Sequence, residues 1–438
     1  MYLTTTVMQT PQHHEVNLRI LKGLCYQSAR LYNASLYNIR QYFFNTREHL
    51  TYNMNWRLMK DTEDYSLLIS DSAQQTMRIA DRDIQSFFKL LALKKRGKYA
   101  EKVRLPRYKD KQGYMVCAIC GRSVRVQKDG TVNIGLTKEF REKYEYDCRY
   151  IKFTIPKHLK GVKEFKEVRI VPQYNAEQFQ IEFIYEAKQA PEQVSGNGWL
   201  SIDPGVDNLL ACTVFSNSST RQFLIDGRTP KHINCYYNKT MAKLKSERTD
   251  QKTLTKRMIR LMNGRRNRIN DYFDKTVNLL VRLCLKEGVS HIVIGYNKWQ
   301  KDGIHLGKVN NQNFTCIPHS LLRAKLKSKC EMHGIEYISQ EESYTSKASC
   351  LDLDSVPTYK PNDDEIHVFS GKRIHRGLYR SSDGSVLNAD INGSVNILRK
   401  YFAASNLKWE YHDRVRALVN APCRRVIPVS QARDFSHG

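Results

Sequence analysis

Trp199-Leu200-Ser201-Ile202-Asp203-Pro204-Gly205-Val206-Asp207-Asn208-Leu209-Leu210 is a short apolar run that ends in one carboxylate and a Pro-Gly break. A buried strand holds its last residue rigidly, and the Pro-Gly that follows turns the backbone away, so the oxygens of Asp203 are expected to face an open cleft. Oxygen ligands fixed in this way suit a hard divalent cation. An aspartate at a strand end also serves as a plain turn former, and the stretch alone leaves both uses open. The run continues through Ala211 to Phe215, the polar turn Ser216 to Thr220, and Gln222 to Ile225, a pattern that predicts a three-stranded antiparallel meander.

The 438 residues around it leave room for about two to four domains, each with its own core. With 71 Lys and Arg against 44 Asp and Glu, the formal charge is +27. So large an excess repels itself unless a polyanion neutralises it, which makes nucleic acid the first candidate partner. No apolar run approaches the ~20 residues of a membrane span and the N-terminus lacks a signal-peptide core, so no membrane partner and a cytoplasmic, nucleoid-associated location are expected. Eleven cysteines at irregular spacing read as reduced thiols. Cys117-Ala-Ile-Cys120 alone has ligand spacing, and one such pair without a second is a weak zinc signal that reads first as ordinary strand cysteines.

Upstream, Met1 to Met8 is β-branched and aromatic and predicts a strand with a distant partner. Helical spacing follows from about Val16 to Phe44, and again from the capping residues Asp71-Ser72 through Met77, Ala80, Ile84 and Leu91 to Gly97. The polar face of the second helix carries Arg78 and Arg82. Lys94 to Lys111 packs nine basic residues, among them Lys94, Lys95, Arg96, Arg104 and Arg107, between Tyr99, Pro106 and Tyr108. That mixture suits a strap over a phosphate backbone, although a solvated linker is the usual meaning of such runs. Short strands with turn signals then recur from Met115 to Ala190 and predict a small barrel that recruits the N-terminal strand.

Downstream, His232 to Glu287 reads as a cationic helix or hairpin that includes Arg265, Arg266 and Arg268, its later half keeping an apolar face that Gly288 closes. Strand His291 to Gly295, a helix begun by Pro318 and strand Ile335 to Ser339 supply parallel strands. A strand ending in Asp, a meander, then alternating helices and parallel strands is the order of a ribonuclease H-like fold. Such a nuclease needs three or four carboxylates at one sheet edge, where two Mg2+ ions ~3.5–4 Å apart share ligands. Asp390, in the first turn of the helix predicted from Asn388-Ala-Asp390-Ile-Asn392-Gly393, is the second candidate acid, and a bare cap is the plainer use of such a residue.

Taken together, Ser201-Ile-Asp-Pro-Gly-Val, Tyr344-Thr-Ser346, Gly371-Lys-Arg373 and Asn388-Ala-Asp-Ile-Asn-Gly393 resemble the transposon-encoded RNA-guided nucleases called TnpB and the related compact type V CRISPR effectors. The resemblance runs through essentially the whole chain. It implies an α+β multidomain protein: a β-barrel wedge module (1–10 and 113–190) with an inserted helical recognition lobe (11–112), a linker (191–198), and a RuvC, ribonuclease H-like, α/β nuclease domain (199–342 and 388–405) with the basic helical insertion 232–287. A target nucleic-acid-binding hairpin (343–387) and a basic tail (406–438) complete it, the tail being expected to stay mobile until RNA arrives. The implied partners are a noncoding guide RNA and target double-stranded DNA read beside a short motif. The implied cofactors are two Mg2+ ions, with Mn2+ a possible substitute, which would generate the attacking hydroxide and leave a 3′-hydroxyl and a 5′-phosphate. Asp203 and Asp390 match the first and last RuvC carboxylates.

Two departures set this chain apart. The middle glutamate of the family closes the fourth strand, which here ends Ile294-Gly295-Tyr296-Asn297 without an acid. Glu342, or its neighbour Glu341, ends the adjacent strand, and strands lie ~4.8 Å apart. A long Glu342 side chain crossing the space left by Gly295 would complete a rearranged metal site of Asp203, Glu342 and Asp390. The alternatives are an RNA-guided DNA binder that does not cut and a guide-independent nuclease of the same fold. Secondly, where the family carries a four-cysteine zinc ribbon only Cys350 remains, so zinc is not expected. The segment offers instead a basic hairpin, with Tyr344, Ser346, Lys347, Lys372, Arg373 and Arg376 as candidate nucleic-acid contacts.

Overall fold

The computed structural model describes residues 3–9, 15–99, 101–156, 159, 162, 164–186, 193–217, 219–250, 253–297, 317–359, 366–375, 377–419 and 421–428. The chain forms two compact units, 1–189 and 190–438.

In the first unit the β-branched opening strand Leu3–Gln9 finds its distant partner in Gln178–Glu186, antiparallel with Leu3 opposite Glu186. Glu167–Gln173 and Cys117–Cys120 extend this sheet to four strands, and Val124–Val126, Thr131–Gly135 and Tyr150–Thr154 form a second sheet of three. Among the described residues the expected barrel is not closed. The edge strands are only three or four residues long at the corner, and the chain steps from one sheet to the other through the turn Gly121–Ser123 without a continuous ladder. The two sheets share one core, in which Ile170, Ile181 and Phe183 meet Val132, Ile134 and Phe153. Cys117 is a buried strand residue of that core, and Cys120 accepts a hydrogen bond from Gln75.

Four helices, Glu15–Thr46, Tyr52–Met59, Glu63–Ser66 and Ser70–Lys95, stand where two were predicted. The last begins one residue before Asp71, with Ile69 as its N-cap. Asp71 does not cap because its buried carboxylate is committed to Arg122 Nε (2.7 Å) and to the Ser123 hydroxyl.

The second unit is built on a six-stranded sheet in the order Glu336–Glu341, Val289–Tyr296, Gly198–Pro204, Asn208–Phe215, Thr220–Asp226, Arg424–Val426. The meander is antiparallel and Val289–Tyr296 and Glu336–Glu341 join Gly198–Pro204 in parallel, the ribonuclease H-like arrangement. The helices Lys256–Glu287 and His319–Met332 cover one face through Phe273, Leu280, Leu322 and Leu326. Ala389–Ala404 covers the other through Ile391, Val395 and Leu398. Gly288 ends the long helix at φ 67°, a left-handed conformation that glycine adopts without a Cβ penalty. In the tail, His412–Arg416 is helical, and Arg424–Val426 pairs in parallel with Phe223–Ile225 as the sheet's outer strand. Residues 429–438 of the expected mobile tail, most of the 191–198 linker's approach and Arg376 lie outside the described residues. Among the described residues no helix is long and apolar enough to cross a membrane.

Candidate active site

Asp203 sits near the end of the central strand. Ile202 pairs with Ile294, which brings Asp203 level with Gly295 on the neighbouring strand. Two mutual hydrogen bonds, Ser201 hydroxyl to Ser394 carbonyl and Ser394 hydroxyl to Ser201 carbonyl, lock this strand to the first turns of the Ala389–Ala404 helix. Gly393 of that helix lies so close to the Asp203 carboxylate that a Cβ there would collide with Oδ2.

Asn388 caps the helix, its side-chain oxygen accepting from the backbone N–H groups of Asp390 (3.0 Å) and Ile391 (3.2 Å). Asp390 is thereby fixed in the first turn. It accepts a hydrogen bond from Asn208 Nδ2 at 2.6 Å and faces Arg373 at 3.6 Å. Asp203, Asp390, Asn208 and Arg373 line a cleft of about 1160 Å³, whose wall also carries Arg228, Lys231 and Arg425.

The two neighbouring glutamates part company. Glu341 turns to Lys400, which is only 4 % exposed in its side chain, and also accepts from the Ser343 backbone and hydroxyl. Burial raises its carboxyl, but those hydrogen bonds outweigh it and leave it below the ordinary value. Glu342 points the other way: a Cβ on Gly295 would stand 2.6 Å from its Oε2. Burial, opposed in part by Arg323, pushes its carboxyl up to about 7. Burial, followed by repulsion from Glu342 and Asp390, also pushes Asp203 well above the usual range, with Arg373 offsetting some of it.

Asp203, with Glu342 and Asp390 near enough to repel its charge, presents together with them an all-oxygen donor set, and a divalent cation relieves that repulsion. The Asn208 amide oxygen, buried beside Asp390 without a donor, adds a neutral ligand of the same class. The residues therefore fit Mg2+ in kind, with Asp203, Glu342 and Asp390 as the groups that would hold it. Among the described residues no three His, Cys, Asp or Glu side chains form a ready-made cage, so the acids are neighbours and not a closed site.

The turn after Glu342 is gripped by the same helix. Asn396 donates to the Thr345 and Ala348 carbonyls, Asn392 donates to the Ala348 carbonyl and accepts from Cys350 N–H, and Arg399 donates to the Asp354 carbonyl. Tyr344 adopts φ 62°, rare for a bulky residue, and its ring faces His367, Phe369 and the Lys347 ammonium. Where a ribbon of cysteines was sought, aspartates staple the segment: Asp354 accepts from Ser349 and Ser370, and Asp352 from Ser382. Lys372–His375, Leu378–Arg380 and Val386–Asn388 form a three-stranded sheet there.

Of the candidate nucleic-acid contacts, Ser346, Lys347, Lys372 and Arg373 are exposed in this segment, and only Arg373 reaches the acids. Arg78, Arg82, Lys94, Lys95, Arg96, Arg104 and Arg107 are exposed on the first unit, Arg78 over the Tyr52 ring. Arg265 bonds Asn234 and Arg266 bonds Asn263, while Arg268 is exposed. Sequence reading did not single out Asn208, Arg323 or Lys400. Only Asn208 carried a signal, its place one turn after the Asp203 break.

Residues 182–300 match the family described as a probable transposase, OrfB_IS605, and residues 319–397 the Cas12f1-like TNB domain. The TnpB-like protein ORF457 of Acidianus two-tailed virus is 24 % identical over 411 residues, 87 % of this chain and 83 % of that protein. The fold resembles the protein in a Cas12f1–sgRNA–target DNA complex, with a TM-score of 0.56 at 14 % identity over 88 % of this chain and 83 % of that one. Set beside the sheet order and the acid cluster, these matches support a TnpB-type relative of the compact type V effectors.

Proposed function

We propose that the protein is an RNA-guided, Mg2+-dependent DNA endonuclease that cuts in the Asp203–Asp390 cleft. The observation that carries this reading is the neighbourhood of Asp203, Glu342 and Asp390, acids from three separate segments, with Glu342 and Asp390 near enough to raise the proton affinity of Asp203. When bound, the divalent ions supply an activated water and charge to stabilise the leaving oxygen. The chain's own part is positional. Gly393 and Gly295 leave space for the Asp203 and Glu342 carboxylates, Asn208 and the Asn388 cap orient Asp390, and Lys400 withholds Glu341 from the site. Arg228, Lys231, Arg373 and Arg425 line the cleft with positive charge, the complement of a phosphate backbone. Pairing to a guide would choose the sequence, while exposed bases such as Arg78, Arg82, Arg104 and Arg107 hold backbone.

The test is to express the full chain with its own flanking DNA, sequence the RNA that copurifies, and assay Mg2+-dependent cutting of a matched duplex. Cutting that needs the RNA and is lost in Asp203→Ala and Glu342→Ala supports the reading; full-rate cutting by Glu342→Ala removes the proposed site. A second reading, guided binding without cleavage, is favoured by the lack of a ready-made three-ligand cage among the described residues. It predicts a matched duplex bound tightly and left intact at every Mg2+ and Mn2+ concentration.

A further inference from the structure

The helices Arg228–Ser246 and Lys256–Glu287 pack side by side, and between them runs a groove of about 310 Å³, remote in sequence from the three acids and lined by none of them. Its floor is apolar, with Ile233 and Leu261, and one wall is formed by Tyr236 and Tyr237. The charged residues that line it are arginines: Arg257, Arg260, Arg265 and Arg268, with no acid among them. Four like charges around an apolar floor repel one another and attract a polyanion that also has something flat to bury.

Two details say what the groove is shaped for. Tyr236 holds a large ring 56 % exposed at its edge, and Tyr237 lies under the Arg265 guanidinium at 5.0 Å, so one ring is already stacked and the other is left open. Gly264 lies in the middle of the Lys256–Glu287 helix, where glycine is less favourable than alanine. The glycine of the Glu15–Thr46 helix is explained by the chain itself, because a Cβ on Gly23 would strike the Tyr144 ring at 2.7 Å. A Cβ on Gly264 would meet nothing within 4 Å, yet Gly264 faces the groove. Among the described residues, none uses the space that is kept clear of side chain there.

We propose that this groove binds single-stranded RNA, with one base stacked on Tyr236 and its sugar-phosphate crossing the helix at Gly264 beneath Arg257 and Arg260. A volume near the lower end of small-ligand pockets admits a nucleotide and excludes a duplex. The hydroxyls of Thr240, Tyr236 and Tyr237 line the same groove and offer partners to a ribose 2′-hydroxyl, which DNA lacks. The inference rests on the proposed function only in taking RNA as the resident strand. A parent protein that cuts but does not bind oligoadenylate would sink the groove alone; a parent protein that binds oligoadenylate but does not cut would sink the nuclease reading alone.

The experiment uses the full chain freed of copurified nucleic acid and titrates a labelled short oligoadenylate by fluorescence anisotropy. Oligodeoxyadenylate of equal length and an RNA duplex run beside it, and ultraviolet crosslinks are mapped by mass spectrometry. Tyr236→Ala should weaken oligoadenylate binding by about tenfold, within the range of one stacked base. Gly264→Ala should raise the melting temperature and still weaken binding several-fold, a combination that a purely structural glycine does not give. Crosslinks should fall on Tyr236 or Tyr237. Gly264→Ala that binds as tightly as the parent, or that melts lower, overturns the proposal. Equal binding of the deoxy strand overturns the assignment to RNA, and equal binding of the duplex overturns the single-strand groove.

Discussion

The carboxylate of Glu342 occupies the space above Gly295: a Cβ on that glycine would stand 2.6 Å from Glu342 Oε2 and 2.8 Å from Ile397 Cδ1. Ile397 is fully buried, so the half-buried Glu342 side chain is the neighbour that gives way. Gly295→Ala is therefore expected to displace Glu342 while leaving the sheet folded. A misplacement of about 1 Å costs roughly a hundredfold in rate. Single-turnover cleavage beside circular dichroism would check this, and undiminished cleavage in a folded Gly295→Ala protein would refute it.

Glu341 and Glu342 should fail in different ways. Glu341→Ala strands Lys400, a nearly buried ammonium, with only the Ser343 and Pro357 oxygens for partners. Leaving one member of a buried pair unpaired costs about 3 kcal/mol, seen as a lower urea midpoint. Glu342→Gln removes a carboxyl whose proton burial already favours, so its midpoint should hold or rise while cutting is lost. Equal loss of stability in both variants would contradict the division of roles.

Gly393 gives a third, independent handle. A methyl group there meets the Asp203 carboxylate from the helix side, and aspartate is too short to swing clear and remain in the cleft. Gly393→Ala should improve local helix propensity by about 1 kcal/mol and abolish cutting. A melting curve and a cleavage assay on one preparation decide it.

Acid stability of the first unit should depend on Asp71. The Arg122 hydrogen bond, helped by Ser123 and opposed by burial, holds its carboxyl below the ordinary 3.8. A folded value below the unfolded one means the contribution is present above 3.8 and is lost as pH falls through the folded value. The Arg122 side chain is 72 % exposed, so solvent screening keeps the pair's contribution small. Asp71→Asn should thus be less stable than the parent at neutral pH, the gap closing below pH 3.8. A gap that widens in acid would reverse the sign.

The aspartate staples predict how the 343–387 segment responds to zinc and to mutation. Asp354→Ala removes three acceptor contacts to Ser349 and Ser370, at about 1–3 kcal/mol. A zinc chelator should leave the melting temperature unchanged, and elemental analysis should find no stoichiometric zinc. Chelator-induced melting would show that a metal, and not the aspartates, holds this segment.

How far these features were legible depends on how local their causes are. The strand that ends at Asp203 and the capped helix that starts at Asp390 announce themselves within a dozen or so residues, through an apolar run, a Pro-Gly break, an asparagine cap and helical spacing. The ribonuclease H-like order followed from the same signals. Three other features did not follow. The first unit's strands were visible but their closure was not, because pairing across Gly121 depends on which edges meet. The helical lobe was read as two helices and has four among the described residues, since Tyr52–Met59 and Glu63–Ser66 are too short to show a helical period. The tail's strand was invisible, as three residues carry no periodicity.

By itself, then, the sequence determined the charge that calls for a polyanion, the secondary-structure order of the ribonuclease H-like sheet and the placing of two acids on it, all properties written in short windows. Tertiary structure alone decided which glutamate turns to the site. Adjacent residues at a strand end point to opposite sides, and nothing in Glu341-Glu342 tells them apart until Lys400, from a helix far along the chain, takes one and Gly295, from the next strand, makes room for the other.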